Sequence, residues 1–365
     1  MKRTQIKTIG ILTAGGDCPG LNAVIRAVTK AAINDYGIKV VGFKDGYDGL
    51  IRNETRVLAS IDVSGILTVG GTILGTSNVA NPYKYAGENN GKLVMRDVSA
   101  QAIANYKRHG LDALVVIGGD GTLSVAAKLV KDGLNIVGVP KTIDNDLSET
   151  EYTFGFESAV ATATEALDKL HSTAQSHHRV MILEVMGRYA GWIALYSGIA
   201  GGGDVILIPE IPYSVKAICR KIEERRRHGK RFSIIVVAEG AKPKGGTVTV
   251  SRIVEKSFDK VRLGGVANRI GEAIEKATCV ETRATILGHV QRGGSPTPFD
   301  RILATRYGNA ALDLVLKGKF GRMVALQKGR MTDVPIHKAV GKLKLVPRNS
   351  PLIKMSESLG VGFGR

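Results

Sequence analysis

The sequence predicts an α/β protein of two doubly wound (Rossmann-like) domains with mainly parallel sheets, and three observations predict it. Short apolar runs of buried-strand type alternate with stretches of helical periodicity along most of the chain. Two of these runs end in glycine-rich turns, Gly15-Gly16-Asp17 and Gly118-Gly119-Asp120-Gly121-Thr122, where doubly wound folds place their ligands. The 365 residues leave room for two domains of about 150 residues each.

The first strand is Ile9-Gly10-Ile11-Leu12. Pro19 then sits where a helix begins, and Leu21, Val24, Ile25, Val28 and Ala32 recur at helical spacing until Gly37. The run from Ile38 to Phe43 returns as a strand, completing a βαβ unit whose crossover implies parallel pairing. The theme repeats in Leu114 to Ile117, a helix to about Lys131, and Asn135 to Val139 before Pro140. A second α/β domain follows from strand-like runs at Val180–Val185, Val205–Ile208 and Ser233–Val237, with helical patterns at about Tyr189–Ala200 and Ser214–His228. After Gly265 come a helical pattern, the strand Ala284–Leu287, a Gly- and Pro-rich loop, and an amphipathic stretch from about Phe299 to Leu316.

Composition excludes several classes. With 44% hydrophobic and 23% charged residues the chain is a globular sequence and not a disordered one. Lys and Arg number 51 against 33 Asp and Glu, a net +18, which attracts anions: nucleic acid, anionic membrane or phosphorylated small molecules. No apolar stretch approaches the roughly 18 residues of a membrane span, and the run from Ile9 to Ala14 is too short and broken for a signal peptide. Cys18, Cys219 and Cys279 are odd in number and lack a CxxC pair, against a disulfide framework or zinc knot. A cytoplasmic protein is expected. The basic run from Arg220 to Arg231 lacks aromatics and includes Glu223 and Glu224, so it reads as a solvated helix end, with a regulatory anion pocket as the alternative. Neither nucleic acid nor membrane is an expected partner.

Two clusters carry chemistry. In Gly118 to Thr122, glycines let backbone N–H groups approach phosphate oxygens while Asp120 can hold Mg²⁺; a plain glycine turn accounts for the glycines equally well. In Pro140-Lys141-Thr142-Ile143-Asp144-Asn145-Asp146, two carboxylates, a hydroxyl and a cation follow a strand. An Asp there can take a proton from an attacking hydroxyl, with Lys or Arg offsetting phosphoryl charge; an Asx-type turn is the plainer alternative. Gly15-Gly16-Asp17-Cys18-Pro19-Gly20 leads into a helix but is neither a Walker A loop nor a GxGxxG turn, and Cys18 reads as a packed small residue. Arg179, Arg188, Arg283 and Arg292 stand beside strand ends, where guanidinium groups suit a substrate phosphate. His289 belongs with Arg292.

In these stretches the sequence resembles the 6-phosphofructokinase family, over nearly its whole length. The motifs are Thr13 to Asn22, Gly70-Gly71-Thr72-Ile73-Leu74-Gly75-Thr76, Gly118 to Thr122, Pro140 to Asp146, Met186-Gly187-Arg188 and Gly288 to Gly294. The resemblance implies the phosphofructokinase fold, with a nucleotide-binding domain of residues 1–155 plus about 291–340 and a sugar-phosphate-binding domain of 156–290 plus about 341–365. It implies transfer of the γ-phosphoryl group of ATP to the 1-hydroxyl of fructose 6-phosphate, a step of glycolysis. Asp144 would be the general base and Asp120 the Mg²⁺ ligand, while Thr142, Asp146 and Arg188 would handle the transferring group. Gly16, Tyr47, Asn78, Val79, Gly119, Asp120, Gly121 and Thr122 would surround the nucleotide. Thr142, Asp144, Met186, Gly187, Arg188, Glu239, His289 and Arg292 would hold the sugar phosphate, with Arg179 and Arg283 reaching in from a neighbouring subunit as in the family's homotetramers.

Two positions bear on the donor. Diphosphate-using members resemble Gly-Gly-Asp-Asp with Pro-Lys-Thr-Ile-Asp-Asn-Asp, and many bacterial ATP enzymes Gly-Gly-Asp-Gly with Pro-Gly-Thr-Ile-Asp-Asn-Asp. This chain combines Gly121 with Lys141. Gly121 adds no charge beside a nucleotide, so ATP is the expected donor, with diphosphate the alternative. Asn78-Val79 stands where related ATP enzymes carry an arginine, and Lys141 is expected to replace part of its charge. The family's regulatory site maps in part onto Arg26, Lys30, His171, Asp204 and Lys230, implying a phosphorylated effector.

Overall fold

The computed structural model describes residues 4–89, 92–253 and 261–365. The elements run β1 (Thr8–Thr13), α1 (Leu21–Tyr36), β2 (Lys39–Phe43), α2 (Tyr47–Arg52), β3 (Thr55–Leu58), β4 (Tyr85–Asn89), β5 (Lys92–Arg96), α3 (Ser99–Arg108), β6 (Ala113–Gly118), α4 (Asp120–Lys131) and β7 (Ile136–Pro140). They continue as α5 (Phe156–His177), β8 (Val180–Val185), α6 (Trp192–Ala200), β9 (Val205–Leu207), α7 (Val215–Arg227), β10 (Ser233–Ala238), β11 (Val250–Ile253), β12 (Val261–Leu263), α8 (Val266–Thr278), β13 (Thr282–Ile286), α9 (Pro298–Leu316), β14 (Arg322–Gln327), β15 (Arg330–Pro335), α10 (Ile336–Ala339) and α11 (Pro351–Ser358).

A seven-stranded sheet has the order β15-β14-β7-β6-β1-β2-β3, and a four-stranded sheet the order β13-β8-β10-β9. The second is parallel throughout. In the first only the outer strands β3 and β15 pair antiparallel. The mainly parallel α/β architecture expected from the sequence is therefore present.

Burial on both faces explains the apolar runs. Ile9, Ile11, Val115 and Ile117 enter one core cluster, while Leu12, Leu114 and Val116 enter another. This is the period-two alternation of a strand covered on both sides. Each such side chain contributes about 1.5–3 kcal/mol by leaving water. Helix α1 starts after Gly20 (φ 106°) and ends at Gly37 (φ 69°), both left-handed, conformations that cost glycine little. Helix α9 opens with Pro298 and the Thr297 hydroxyl accepting from Asp300 N–H, a capped start. It crosses α1 closely at Gly308, where a Cβ would lie 2.8 Å from Ala27 Cβ.

The antiparallel pairs β4/β5 and β11/β12 and the hairpin β14/β15 are not among the elements expected from the sequence. The helical pattern at Tyr189–Ala200 is realised from Trp192 onward. No helix among the described residues is long and apolar enough to cross a membrane.

Candidate active site

A cleft of about 810 Å³ opens where the carboxyl ends of β1, β6, β7, β8 and β10 deliver their loops. Strand β1 delivers the first glycine turn. There Gly15 N–H donates to Ser77 O at 3.0 Å, and the Thr76 hydroxyl donates to Gly15 O at 2.6 Å. Two cations close on this turn. The Lys141 ammonium donates to Gly16 O, and Arg292 Nη1 donates to Asp17 O at 3.1 Å. A Cβ at position 16 would come within 2.6 Å of the Arg292 guanidinium, so only glycine admits that approach. Lys141 is 3% exposed, and burial lowers its ammonium to about 8.

Strand β6 runs through Gly118 and Gly119 into α4, whose first N–H groups are the donors with which helix N-termini bind anions. Tyr47 anchors this turn by donating to Thr122 O at 2.8 Å. Strand β7 delivers the acidic loop. Asp144 N–H donates to the Thr142 hydroxyl at 3.1 Å. Asn145 adopts φ 50°, and its Oδ1 accepts from Thr153 N–H at 3.0 Å. Burial raises the Asp144 carboxyl above the usual range, opposed by Arg292 and Lys141. Burial, then the charges of Asp144 and Asp120, push Asp146 up to about 7. Asp144 Oδ1 is buried without a hydrogen-bond partner among the described residues.

Strands β8 and β10 furnish the opposite wall. Gly187 has φ 136°, and Gly240 lets this turn pack, since a Cβ there would sit 1.9 Å from Arg188 O. Met186 N–H donates to the fully buried Gln291 Oε1 at 3.1 Å. The Arg188 guanidinium lies 5.0 Å from the Tyr189 ring centroid. Glu239 is pushed up to about 7, by burial first and Asp144 next.

Of the residues expected from the sequence, Gly16, Tyr47, Asn78, Val79, Gly119, Gly121, Thr122, Lys141, Thr142, Asp144, Asp146, Met186, Arg188, Glu239, His289 and Arg292 line this one cleft. Asp120 stands at its flank, where its carboxylate accepts from Gly341 N–H at 2.7 Å and acts on Asp146 by charge. Arg179 and Arg283 lie outside the cleft, both paired with Glu281. Among the regulatory candidates, His171 Nε2 meets Gly201 O at 2.7 Å, and Asp204 pairs with Arg225 at 2.6 Å. No sequence motif assigned a role to Gln291, Tyr189, Gly240, Ser251 or Arg252; of these, Tyr189, Ser251 and Arg252 line the cleft.

A family model described as Phosphofructokinase matches residues 8–315. The chain belongs to the phosphofructokinase family. It is 54% identical, over 98% of both chains, to the ATP-dependent 6-phosphofructokinase 2 of Clostridium perfringens. It is 51% identical, over 93% of this chain and 96% of the other, to the pyrophosphate–fructose 6-phosphate 1-phosphotransferase of Amycolatopsis methanolica. Among solved structures it matches the T-state phosphofructokinase of Pichia pastoris with a TM-score of 0.79 and 34% identity, covering 93% of this chain and 38% of that one. Relatives named ATP-dependent 6-phosphofructokinase also match at 51% identity over the whole chain (Spirochaeta thermophila) and at 49% over 98% of it (Chloroflexus aurantiacus), so the comparisons favour ATP over diphosphate as donor.

The phosphofructokinase cleft suits a divalent cation. Asp144 and Asp120 both repel the charge of Asp146, and one Asp144 oxygen is unsatisfied. No group of three or more His, Cys, Asp or Glu able to hold a metal occurs among the described residues. Mg²⁺ needs only one or two carboxylates and completes its shell with waters and substrate phosphates.

Proposed function

We infer that the protein is an ATP-dependent 6-phosphofructokinase, transferring the γ-phosphoryl group of ATP to the 1-hydroxyl of fructose 6-phosphate and giving fructose 1,6-bisphosphate. The observation that carries this reading is Asp144, a buried carboxylate with an open oxygen in a cleft shared with the glycine turns and with Arg188, Glu239, His289 and Arg292. Asp144 accepts the proton of the attacking hydroxyl, and its raised basicity favours that transfer. Lys141 and Arg292 stand beside the first glycine turn, where they offset phosphoryl charge. Asp120 and Asp146 would hold Mg²⁺, which would supply charge neutralisation at the donor phosphates.

Gly121 favours ATP, because it adds no negative side chain to a helix start that faces phosphate. The alternative donor, diphosphate, is favoured by one feature, Lys141. Replacing Lys141 by Ala is expected to lower turnover by about 10²-fold, as removal of one preorganised cation or donor does. Steady-state rates check this, and an unchanged turnover removes the role.

Asp146 carries a stability signature. Its carboxyl titrates higher in the folded protein than the 3.8 of a free Asp, so its favourable contribution is complete below about pH 4 and lost as pH rises through about 7. Asp146→Asn is therefore expected to raise the melting temperature of the ligand-free protein at about pH 8, with the gain vanishing near pH 4. Thermal denaturation at the two pH values measures this.

The nucleotide side follows the seven-stranded sheet and the sugar-phosphate side the four-stranded one, as the division 1–155 plus 291–340 and 156–290 plus 341–365 implies. Arg179 and Arg283, turned away from their own cleft, serve a neighbouring subunit of a homotetramer. A phosphorylated effector binds near Arg26, Lys30, His171, Asp204 and Lys230. Its compartment is the cytoplasm.

A further inference from the structure

Residues 341–344 strap the acidic loop. Leu343 bridges Leu147 in antiparallel fashion, and the Ser148 hydroxyl donates to Lys342 O. Lys344 N–H donates to Asp146 O at 2.7 Å. Gly341 N–H reaches Asp120 at 2.7 Å, so one tetrapeptide touches both acidic clusters of the site.

The Lys344 side chain closes the strap. Its Nζ donates to Asn145 Oδ1 at 3.0 Å, to Thr150 O at 2.9 Å and to Glu151 O at 2.9 Å. These three bonds use every ammonium proton. The Trp192 ring centroid is 5.8 Å from Nζ, and Trp192 Nε1 donates to Lys344 O at 2.7 Å, fixing the backbone of the strap as well. Asn145 holds the left-handed φ of 50°, a conformation sustained by its surroundings. Its Oδ1 is the shared acceptor for Lys344 and Thr153.

We propose that Lys344 is a positioning residue for phosphoryl transfer, its ammonium tying Asn145 to the 150–151 turn so that Asp144 and Asp146 are held toward the cleft. This rests on the kinase reading of that cleft. Lys344 touches no reacting atom; it acts through Asn145. A point donor with three protons suits three acceptors converging on one position, which the planar fork of arginine does not reproduce.

The test is Lys344→Met, Asn145→Ala and the double variant. Lys344→Met is expected to lower kcat by about 10²-fold, the cost of misplacing a reacting group by about 1 Å, while KM for fructose 6-phosphate stays within about threefold. Backbone amides of 142–151 should exchange with deuterium faster, with the strands of both sheets unchanged. The double variant should lose less than the product of the two single losses, since the variants share the Lys344–Asn145 link. Unchanged turnover and exchange, additive losses, or faster exchange throughout the protein would overturn the proposal. Should Lys344→Met fail to fold, Asn145→Ala tests the same link from the loop side by the same two readings. A wild type inert with both ATP and diphosphate would refute the kinase reading instead, and exchange of the 142–151 amides would still decide whether Lys344 holds the loop.

Discussion

Replacing Asp144 by Asn is expected to lower turnover by about 10²–10⁴-fold, the usual contribution of a general base, and to leave the fold intact. The substitution keeps the shape of the side chain and the bond from Asp144 N–H to the Thr142 hydroxyl. What it removes is the proton acceptor. Because burial already disfavours the Asp144 charge, a neutral amide relieves that penalty, and the melting temperature should hold or rise. Near-normal turnover with a normal melting curve would reject Asp144 as the base.

Gly121→Asp is expected to lower kcat/KM for ATP by about 10²-fold and to spare diphosphate by comparison, since a like charge facing a ligand charge costs several kcal/mol, roughly a hundredfold or more. Position 121 lies in the first turn of α4 and lines the cleft next to Thr122. Thr122 is itself pinned by Tyr47, so a carboxylate at 121 cannot be moved aside by unwinding the turn cheaply. Initial rates with each donor decide it; equal losses for both donors would remove Gly121 as the discriminating position.

The buried strands were legible because both faces are covered, so β1, β6, β8 and β10 read as continuous apolar runs. Strands β14 and β15 were not, since Arg322, Gln327, Arg330 and Asp333 break the pattern at a sheet margin. Their signal was the two-residue turn Lys328-Gly329, with φ of 51° and 73°, a hairpin turn of the type that demands positive φ twice. Glu184 was hidden inside the run of β8, yet its carboxylate accepts from Gly265 and Ala267 N–H at 2.9 Å each, caring for the start of α8 as a buried acid can. In the site, contiguous motifs delivered Asp144, Lys141 and Arg188. Gln291, Gly240 and Lys344 escaped because their partners are distant in sequence: Lys344 and Asn145 are 199 residues apart, and no local pattern encodes that meeting.

The most direct measurement is the initial rate of fructose 1,6-bisphosphate formation by the wild-type protein, with Mg²⁺ present, using ATP and diphosphate in parallel. Turnover with ATP is expected to be robust and to exceed that with diphosphate by at least about tenfold, a difference of about 1.4 kcal/mol in barrier. Faster turnover with diphosphate, or none with either donor, would contradict it.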